Sequence, residues 1–170
     1  MGPPEDGSVA TASARAYTDS MTADESGAVY KIGFTGTQAG LTEKQSVTIE
    51  ALLKNLRRPG RMGFVFGLCV GADDQVAMIA GNLGYVLIAR PGESIAKRGR
   101  ITPHFIYPPD GNLARNAAIV GDSDILVAAP RQPIEILRSG TWATVRAARK
   151  ARIPICVVLP NGRLSYESPA

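Results

Sequence analysis

The sequence predicts an α/β domain: a doubly wound parallel sheet of about five strands in the order 3-2-1-4-5, with helices on both faces. Three observations lead there. From Val29 onward, short apolar runs alternate with stretches of helical periodicity. One run, Asp124-Ile-Leu-Val-Ala-Ala129, is almost continuously apolar, as strands covered on both faces are. Repeated strand–helix alternation calls for parallel strands joined by right-handed crossovers, which puts helices on each face of the sheet.

Each element has its own justification. Val29-Tyr-Lys-Ile-Gly-Phe34 reads as a strand running into a Gly/Thr loop. Thr42 opens the first helix, and Gln45 three residues later completes a capping-box pattern. Ile49, Leu52, Leu53 and Leu56 then form one apolar stripe, and Pro59-Gly60 ends the helix. Met62 to Leu68 is the second strand. Val76, Ile79, Ala80 and Leu83 mark a second helix that Gly84 terminates, and Tyr85 to Ala89 is the third strand. Residues 90–111, punctuated by Pro91, Gly92, Pro103, Pro108, Pro109 and Gly111, form the longest irregular stretch. Loops of that length in a compact domain are functional or mobile. A short helix follows from Leu113 to about Val120, then the Asp124–Ala129 strand and a second loop reaching Ser139. A helix from Thr141 to Ala151 and a strand from Pro154 to Leu159 complete the pattern, and the chain from Asn161 is polar.

Composition narrows the function. With 170 residues, 45% of them hydrophobic, the chain can bury a core without disulfide staples. No apolar run approaches the roughly 20 residues that span a bilayer, so no membrane association is expected. Two cysteines, Cys69 and Cys156, make neither a disulfide framework nor a four-thiolate zinc site. A single histidine, His104, excludes a multi-histidine metal centre. Residues 1–28 carry Glu5, Asp6, Asp19, Asp24 and Glu25 against Arg15 alone, a net of −4. The remaining 142 residues carry 18 basic and 10 acidic side chains, a net of +8. Anionic ligands suit such a body, whether nucleotides or single-stranded nucleic acid; a merely solubilising basic surface is the plain alternative.

The organisation expected is a flexible acidic leader, or a non-native start, over residues 1–28, a ligand-binding domain over 29–163 and a polar tail over 164–170. The leader has no apolar periodicity and lacks the basic start and apolar core of a secretory signal. A cytoplasmic location with reduced thiols is the expectation that follows.

In a doubly wound sheet, ligands bind beyond the carboxyl ends of the strands near the reversal of strand order. Four segments meet there. Thr35-Gly36-Thr37-Gln38-Ala39-Gly40 offers backbone amides and hydroxyls to a phosphate, or is a plain tight turn. Lys44 lacks the preceding glycines of a P-loop. In Gly67-Leu-Cys-Val-Gly71-Ala72-Asp73, the small residues allow close packing at a helix start, and Asp73 either accepts from a ribose or caps the helix. Cys69 has no base beside it and reads as a buried structural thiol. Arg115 and Asn116, opening a helix, suit a phosphate or a base edge, or Arg115 is a plain solvated side chain. Pro130 begins the segment that reaches Ser139-Gly140-Thr141, another helix start with free amides and hydroxyls. Trp142, the single tryptophan, fits a core or interface anchor, and His104 a surface position.

As a set, Gly33-Phe-Thr-Gly-Thr-Gln-Ala-Gly40, Cys69-Val-Gly-Ala-Asp73, Leu113-Ala-Arg-Asn116, Ser123 to Pro130 and Ser139-Gly-Thr141 resemble the SLOG superfamily over about residues 29–160. That group includes the DNA-processing protein DprA, the LONELY GUY phosphoribohydrolases and molybdenum-cofactor carriers. The resemblance is to small single-domain bacterial and phage members. It implies a Rossmann-like domain that binds a nucleotide or nucleotide-derived phosphorylated ligand in the crevice, requires no cofactor and assembles as a homo-oligomer through its helices. Trp142 or the apolar side of the last helix would serve that assembly.

The LONELY GUY loop resembles Pro-Gly-Gly-x-Gly-Thr-x-x-Glu, with an Arg on the preceding helix that assists N-glycosidic cleavage. Arg115 is similar to that Arg, and Gly140-Thr141 to the Gly-Thr. The glutamate position is Thr144, and a segment separates Pro130 from Ser139. Glycosidic cleavage needs a carboxylate to stabilise an oxocarbenium-like state and a base for water, and Thr144 is neither. Asp73 or Glu135 would have to substitute, so that Arg115 and Asp73 are the catalytic pair only if the chain is an enzyme. Binding, as a carrier, sensor or sequestering protein, is therefore the favoured function. Nucleotide N-glycosidase is the alternative. A DprA-like module for single-stranded DNA is the third; the clusters Arg57/Arg58/Arg61, Lys97/Arg98/Arg100 and Arg146/Arg149/Lys150/Arg152 support it, but aromatics make up only 6% of the chain, few for base stacking.

Overall fold

The computed structural model describes residues 26–169. Of the expected leader, residues 1–25 lie outside the described residues. The elements run β1 (Tyr30–Gly36), α1 (Glu43–Asn55), β2 (Met62–Phe66), α2 (Ala72–Asn82), β3 (Val86–Ala89), a 3-10 turn (Ile95–Lys97), β4 (Phe105–Ile106), α3 (Asn112–Gly121), β5 (Ile125–Ala129), α4 (Gly140–Ala151), β6 (Ile155–Val158) and β7 (Leu164–Glu167).

The sheet has the order β4-β3-β2-β1-β5-β6-β7 and is parallel except for β7. Its five inner strands follow the predicted 3-2-1-4-5 arrangement, and the count of about five is corrected to seven. Both additions are edge strands with weak sequence signals. β4 is two residues inside the long loop; beside it, the His104 amide donates to the Leu87 carbonyl and His104 Nδ1 accepts from the Leu87 amide, each at 2.9 Å. β7 lies in the stretch read as a polar tail. It returns along β6 through a turn at Gly162 (φ 82°), and its Leu164 and Tyr166 remain substantially exposed. No inward-facing apolar alternation announces such a strand.

Strand residues alternate between the two faces as the pleat requires. On one face Ile32, Phe34, Phe64, Phe66, Val127 and Cys156 meet α1 and α2 through Ile49, Leu53, Val76 and Ala80. The Phe34 and Phe64 rings stack with centroids 5.8 Å apart. On the other face Val65, Ile88, Leu126, Ala128 and Val157 meet α3 and α4 through Ile119, Val120, Trp142, Val145 and Ala148. Each fully buried aliphatic or Phe side chain stabilises by about 1.5–3 kcal/mol. Trp142, 5% exposed, is a core anchor within the chain itself. It therefore offers no surface for the assembly foreseen for it.

The α1 start follows the sequence pattern closely. Thr42 Oγ1 accepts from the Gln45 amide and Gln45 Oε1 accepts from the Thr42 amide, both at 3.0 Å. Gln45 also does something its spacing did not reveal. Buried at 1% exposure, its Nε2 donates to the carbonyls of Pro130 at 2.9 Å and Val158 at 3.0 Å. The ends of β5 and β6 are thus fixed by the first turn of α1.

Candidate anion-binding cleft

Beyond the carboxyl ends of β1, β2, β3 and β5 lies a cleft of about 500 Å³. Thr35, Gly36, Thr37 and Gln38 form its middle. The turn is held by the Thr37 amide donating to Ala129 O at 3.2 Å, and by Thr37 O accepting from the Ala72 amide at 3.0 Å. Two of its glycine signals have a cause inside the protein. A Cβ on Gly36 would lie 2.6 Å from Ala72 Cβ, and one on Gly71 (φ 86°) would lie 2.2 Å from Gln38 O. These glycines let the α2 start press against the β1 turn.

The floor is the loop after β2. Gly67, Leu68 and Cys69 line the cleft, whereas Gly71, Ala72 and Asp73 do not. The Asp73 carboxylate sits beneath the loop, 5% exposed, and accepts from the Cys69 amide at 3.1 Å. Burial pushes its pKa from 3.8 up to about 6, against the opposing hydrogen bond from Cys69 and the charge of Arg115. Asp73 is thus neither helix cap nor exposed ligand acceptor; the N-cap is Gly71. Cys69 is half-buried on the cleft wall rather than buried in the core. Desolvation, reinforced by Asp73, raises its thiol pKa, although Arg115 Nη1 lies 3.4 Å from Sγ. The Arg115 guanidinium also donates to Gly67 O at 3.2 Å and to Asn116 Oδ1 at 2.9 Å. A side chain at position 67 would collide with it, the added Cβ falling 2.3 Å from Nη1.

The long loop supplies a third wall, contributing Gly92, Ser94, Lys97 and Arg98. It is strapped down rather than loose. Asp74 accepts from the Arg100 amide at 2.9 Å and from the Ile101 amide at 3.2 Å. Val70 N donates to Lys97 O at 3.0 Å and Gly99 N to Leu68 O at 2.7 Å, with an antiparallel bridge between Cys69 and Arg98. At its other end Arg90 pairs with Asp122 at 2.6 Å and covers the Tyr107 ring.

The fourth wall is the segment between β5 and α4. Arg131, Gln132, Ile136, Arg138, Ser139, Gly140 and Thr141 line it, and Pro130 is buried behind it, bound to Gln45. Ser139 caps α4, its Oγ accepting from the Trp142 amide at 3.3 Å. The free amides at the helix start form the positive end of its macrodipole. Thr144, fully buried, donates back to Gly140 O at 3.0 Å. Glu135 faces away: it accepts from Arg149 at 2.8 Å and Arg146 at 3.1 Å, and these bonds lower its pKa. Arg146 further donates to Leu137 O at 2.9 Å, so the clasp fixes the 131–138 segment against α4.

Of the residues singled out in the sequence, Thr35, Gly36, Thr37, Arg115, Asn116, Ser139, Gly140 and Thr141 converge on the cleft. Gly71, Ala72, Asp73 and Pro130 support it from behind. Sequence reasoning saw Lys97 and Arg98 only as part of a basic cluster and placed neither them nor Arg131 and Arg138 in the cleft. With Arg115 these make five cations on the walls, and no carboxylate among the described residues lines them. Among the described residues none of the five forms an ion pair, whereas Arg90, Arg146 and Arg149 all do. The remaining basic clusters lie elsewhere: Arg57 and Arg58 cover Tyr85 and Tyr30. Among the described residues no aromatic ring lines the cleft. No described helix is long and apolar enough to cross a membrane.

No protein-family model and no curated protein matches the chain. Two solved structures share its fold. One is the molybdenum cofactor binding protein from the phototrophic bacterium Rippkaea orientalis, at 20% identity and a TM-score of 0.59, with 76% of each chain covered. The other is the structural-genomics target TM1055, at 14% identity and a TM-score of 0.54, covering 75% of this chain and 72% of that one. The chain is thus similar in fold, a Rossmann-like α/β domain, to a protein that binds a cofactor.

Proposed function

We propose that this chain is a SLOG-type module that binds a nucleotide or nucleotide-derived phosphorylated ligand in this cleft, as a carrier, sensor or sequestering protein. One observation carries the reading: helix-start amides and five cations, none in an ion pair among the described residues, converge on a cavity with no carboxylate among its described wall residues. Such a surface is repulsive to itself until an anion enters. The shared fold with the molybdenum cofactor binding protein of Rippkaea orientalis points the same way. Arg131 and Arg138 reach the ligand from one wall, Arg115 stands at the floor, and Gly140 and Thr141 donate to a phosphate through their amides.

Hydrolysis finds no support on these walls. Thr144 is buried and bonded to its own helix, Asp73 lies under the floor, and Glu135 is clasped by two arginines on the far side. Single-stranded DNA finds no stacking ring in the cleft.

The single tryptophan, in the first turn of α4, gives a direct readout. Titration with AMP, NAD and a molybdopterin-type ligand, followed by Trp142 fluorescence and calorimetry, should show saturable binding. Arg138→Ala should weaken it by about tenfold, the loss of one charge-assisted contact. Absence of binding by every compound rejects the proposal.

A further inference from the structure

We infer that the ligand of this cleft carries two phosphate groups, the second held by Lys97 and Arg98 of the strapped loop; the inference rests on the phosphate-binding reading above.

The argument begins with where the cations stand. β1 lies between β2 and β5 in the sheet. The loop after β2 is bridged to Lys97 and Arg98, and the segment after β5 carries Arg131 and Arg138. Neighbouring strands are about 4.8 Å apart, so the two walls rise roughly 10 Å apart at their bases. One phosphate bound at the Gly140–Thr141 amides sits against the β5 wall. From there it leaves the opposite wall's cations without a counter-charge.

Charge supports the same conclusion. A phosphate monoester brings about −1.5 to −2 at neutral pH. The cleft presents five cations and the positive end of α4; among the described residues no wall carboxylate offsets them, and the buried Asp73 beneath the floor faces Arg115 alone of the five. Two phosphate groups match that field far better than one.

The placement of Lys97 and Arg98 is also fixed, not accidental. Asp74 takes the amides of Arg100 and Ile101, Val70 binds Lys97 O, and Leu68 O receives the Gly99 amide. Gly99 is confined by this arrangement, since an added Cβ would lie 2.3 Å from Asp74 Oδ1 and 2.7 Å from Cys69 O. Arg98 Nη2 donates to Gly92 O at 3.1 Å, which steadies its guanidinium beside the cavity. A loop so tightly bound to the floor holds the backbone of Lys97 and the Arg98 guanidinium in place before the ligand arrives, and lowers the ordering cost of binding. Recognition then rests on phosphate rather than base, because no aromatic ring among the described residues lines the cleft for stacking.

The test compares AMP, ADP, inorganic pyrophosphate and adenosine 3′,5′-bisphosphate at fixed ionic strength, by Trp142 fluorescence and calorimetry. ADP should bind at least about tenfold tighter than AMP, equivalent to one further charge-assisted contact. The ADP and bisphosphate arms distinguish linked from separated phosphates. Lys97→Ala, at an exposed position, and the double variant Lys97→Ala/Arg98→Ala should collapse the ADP-to-AMP affinity ratio toward one. Arg138→Ala should weaken all four phosphate compounds together. Equal affinities for AMP and the two-phosphate compounds, or an unchanged ratio in the Lys97 variant, overturns this inference while leaving phosphate binding intact. Failure of all four to bind overturns both.

Discussion

The Asp73 carboxylate accepts the Cys69 amide at 3.1 Å from underneath the cleft floor, four residues further along the chain. A carboxylate thus props up the floor of a cleft that it does not line. Burial is the dominant influence on it, raising its pKa to about 6 despite Arg115 and two backbone donors.

That burial has a stability signature. Between pH 3.8, the ordinary value, and about 6, the folded chain holds a proton the unfolded chain has released. Stability from this group therefore falls as pH rises through that window and is fully lost above it, by about 3 kcal/mol. Asp73→Asn should remove this slope. Urea midpoints measured for both proteins from about pH 4 to 7 should diverge with pH, since the other carboxylates cancel in the difference. Parallel curves would show that Asp73 is solvated.

Gln45 joins three segments, and its replacement should be costly. Gln45→Ala strips the Thr42 amide of its acceptor and leaves the buried carbonyls of Pro130 and Val158 without their donor. A loss of about 2–4 kcal/mol is expected from urea unfolding. Gln45→Glu should lose a similar amount, keeping the cap acceptor but turning a carboxylate toward two carbonyls. A Glu variant as stable as wild type would mean that the Nε2 bonds contribute nothing.

Much of this architecture was legible, and the exceptions have physical causes. The capping box at Thr42 and Gln45 is a local pattern of residue types, so spacing alone reveals it. Gly36 and Gly71 signalled a close approach correctly, but spacing cannot say whether the approaching atom is a phosphate or, as here, Ala72 and Gln38 O. Lys97 and Arg98 were legible only as a basic cluster. Their position in the cleft depends on Asp74, more than twenty residues earlier, binding the Arg100 and Ile101 amides. β7 was missed because an exposed antiparallel edge strand needs no buried face.

Gly71 and Gly121 should respond oppositely to the same substitution. Gly71→Ala meets Gln38 O at 2.2 Å with φ at 86°, and should destabilise by about 2–4 kcal/mol. Gly121→Ala, at the end of α3 with open space around the added methyl, should be neutral or stabilise by up to about 1 kcal/mol. Chemical denaturation of the two variants decides it. Equal effects would remove the case that the α2 start is packed directly on the β1 turn.

Gly140 allows stability and binding to be driven in opposite directions by one side chain. It is the first residue of α4, and nothing lies within 4 Å of an added Cβ. Gly140→Asp places a negative charge at the positive end of the helix and should stabilise the fold by about 0.3–1 kcal/mol. The same charge stands where a phosphate would accept from the Gly140 and Thr141 amides, so affinity for AMP should fall by about tenfold or more. Urea unfolding and Trp142 fluorescence titration on one preparation read both effects. A more stable variant that binds AMP as well as wild type would put the phosphate elsewhere in the cleft, away from the α4 start. A variant that loses both binding and stability would point to disruption of the Ser139 cap rather than to charge repulsion.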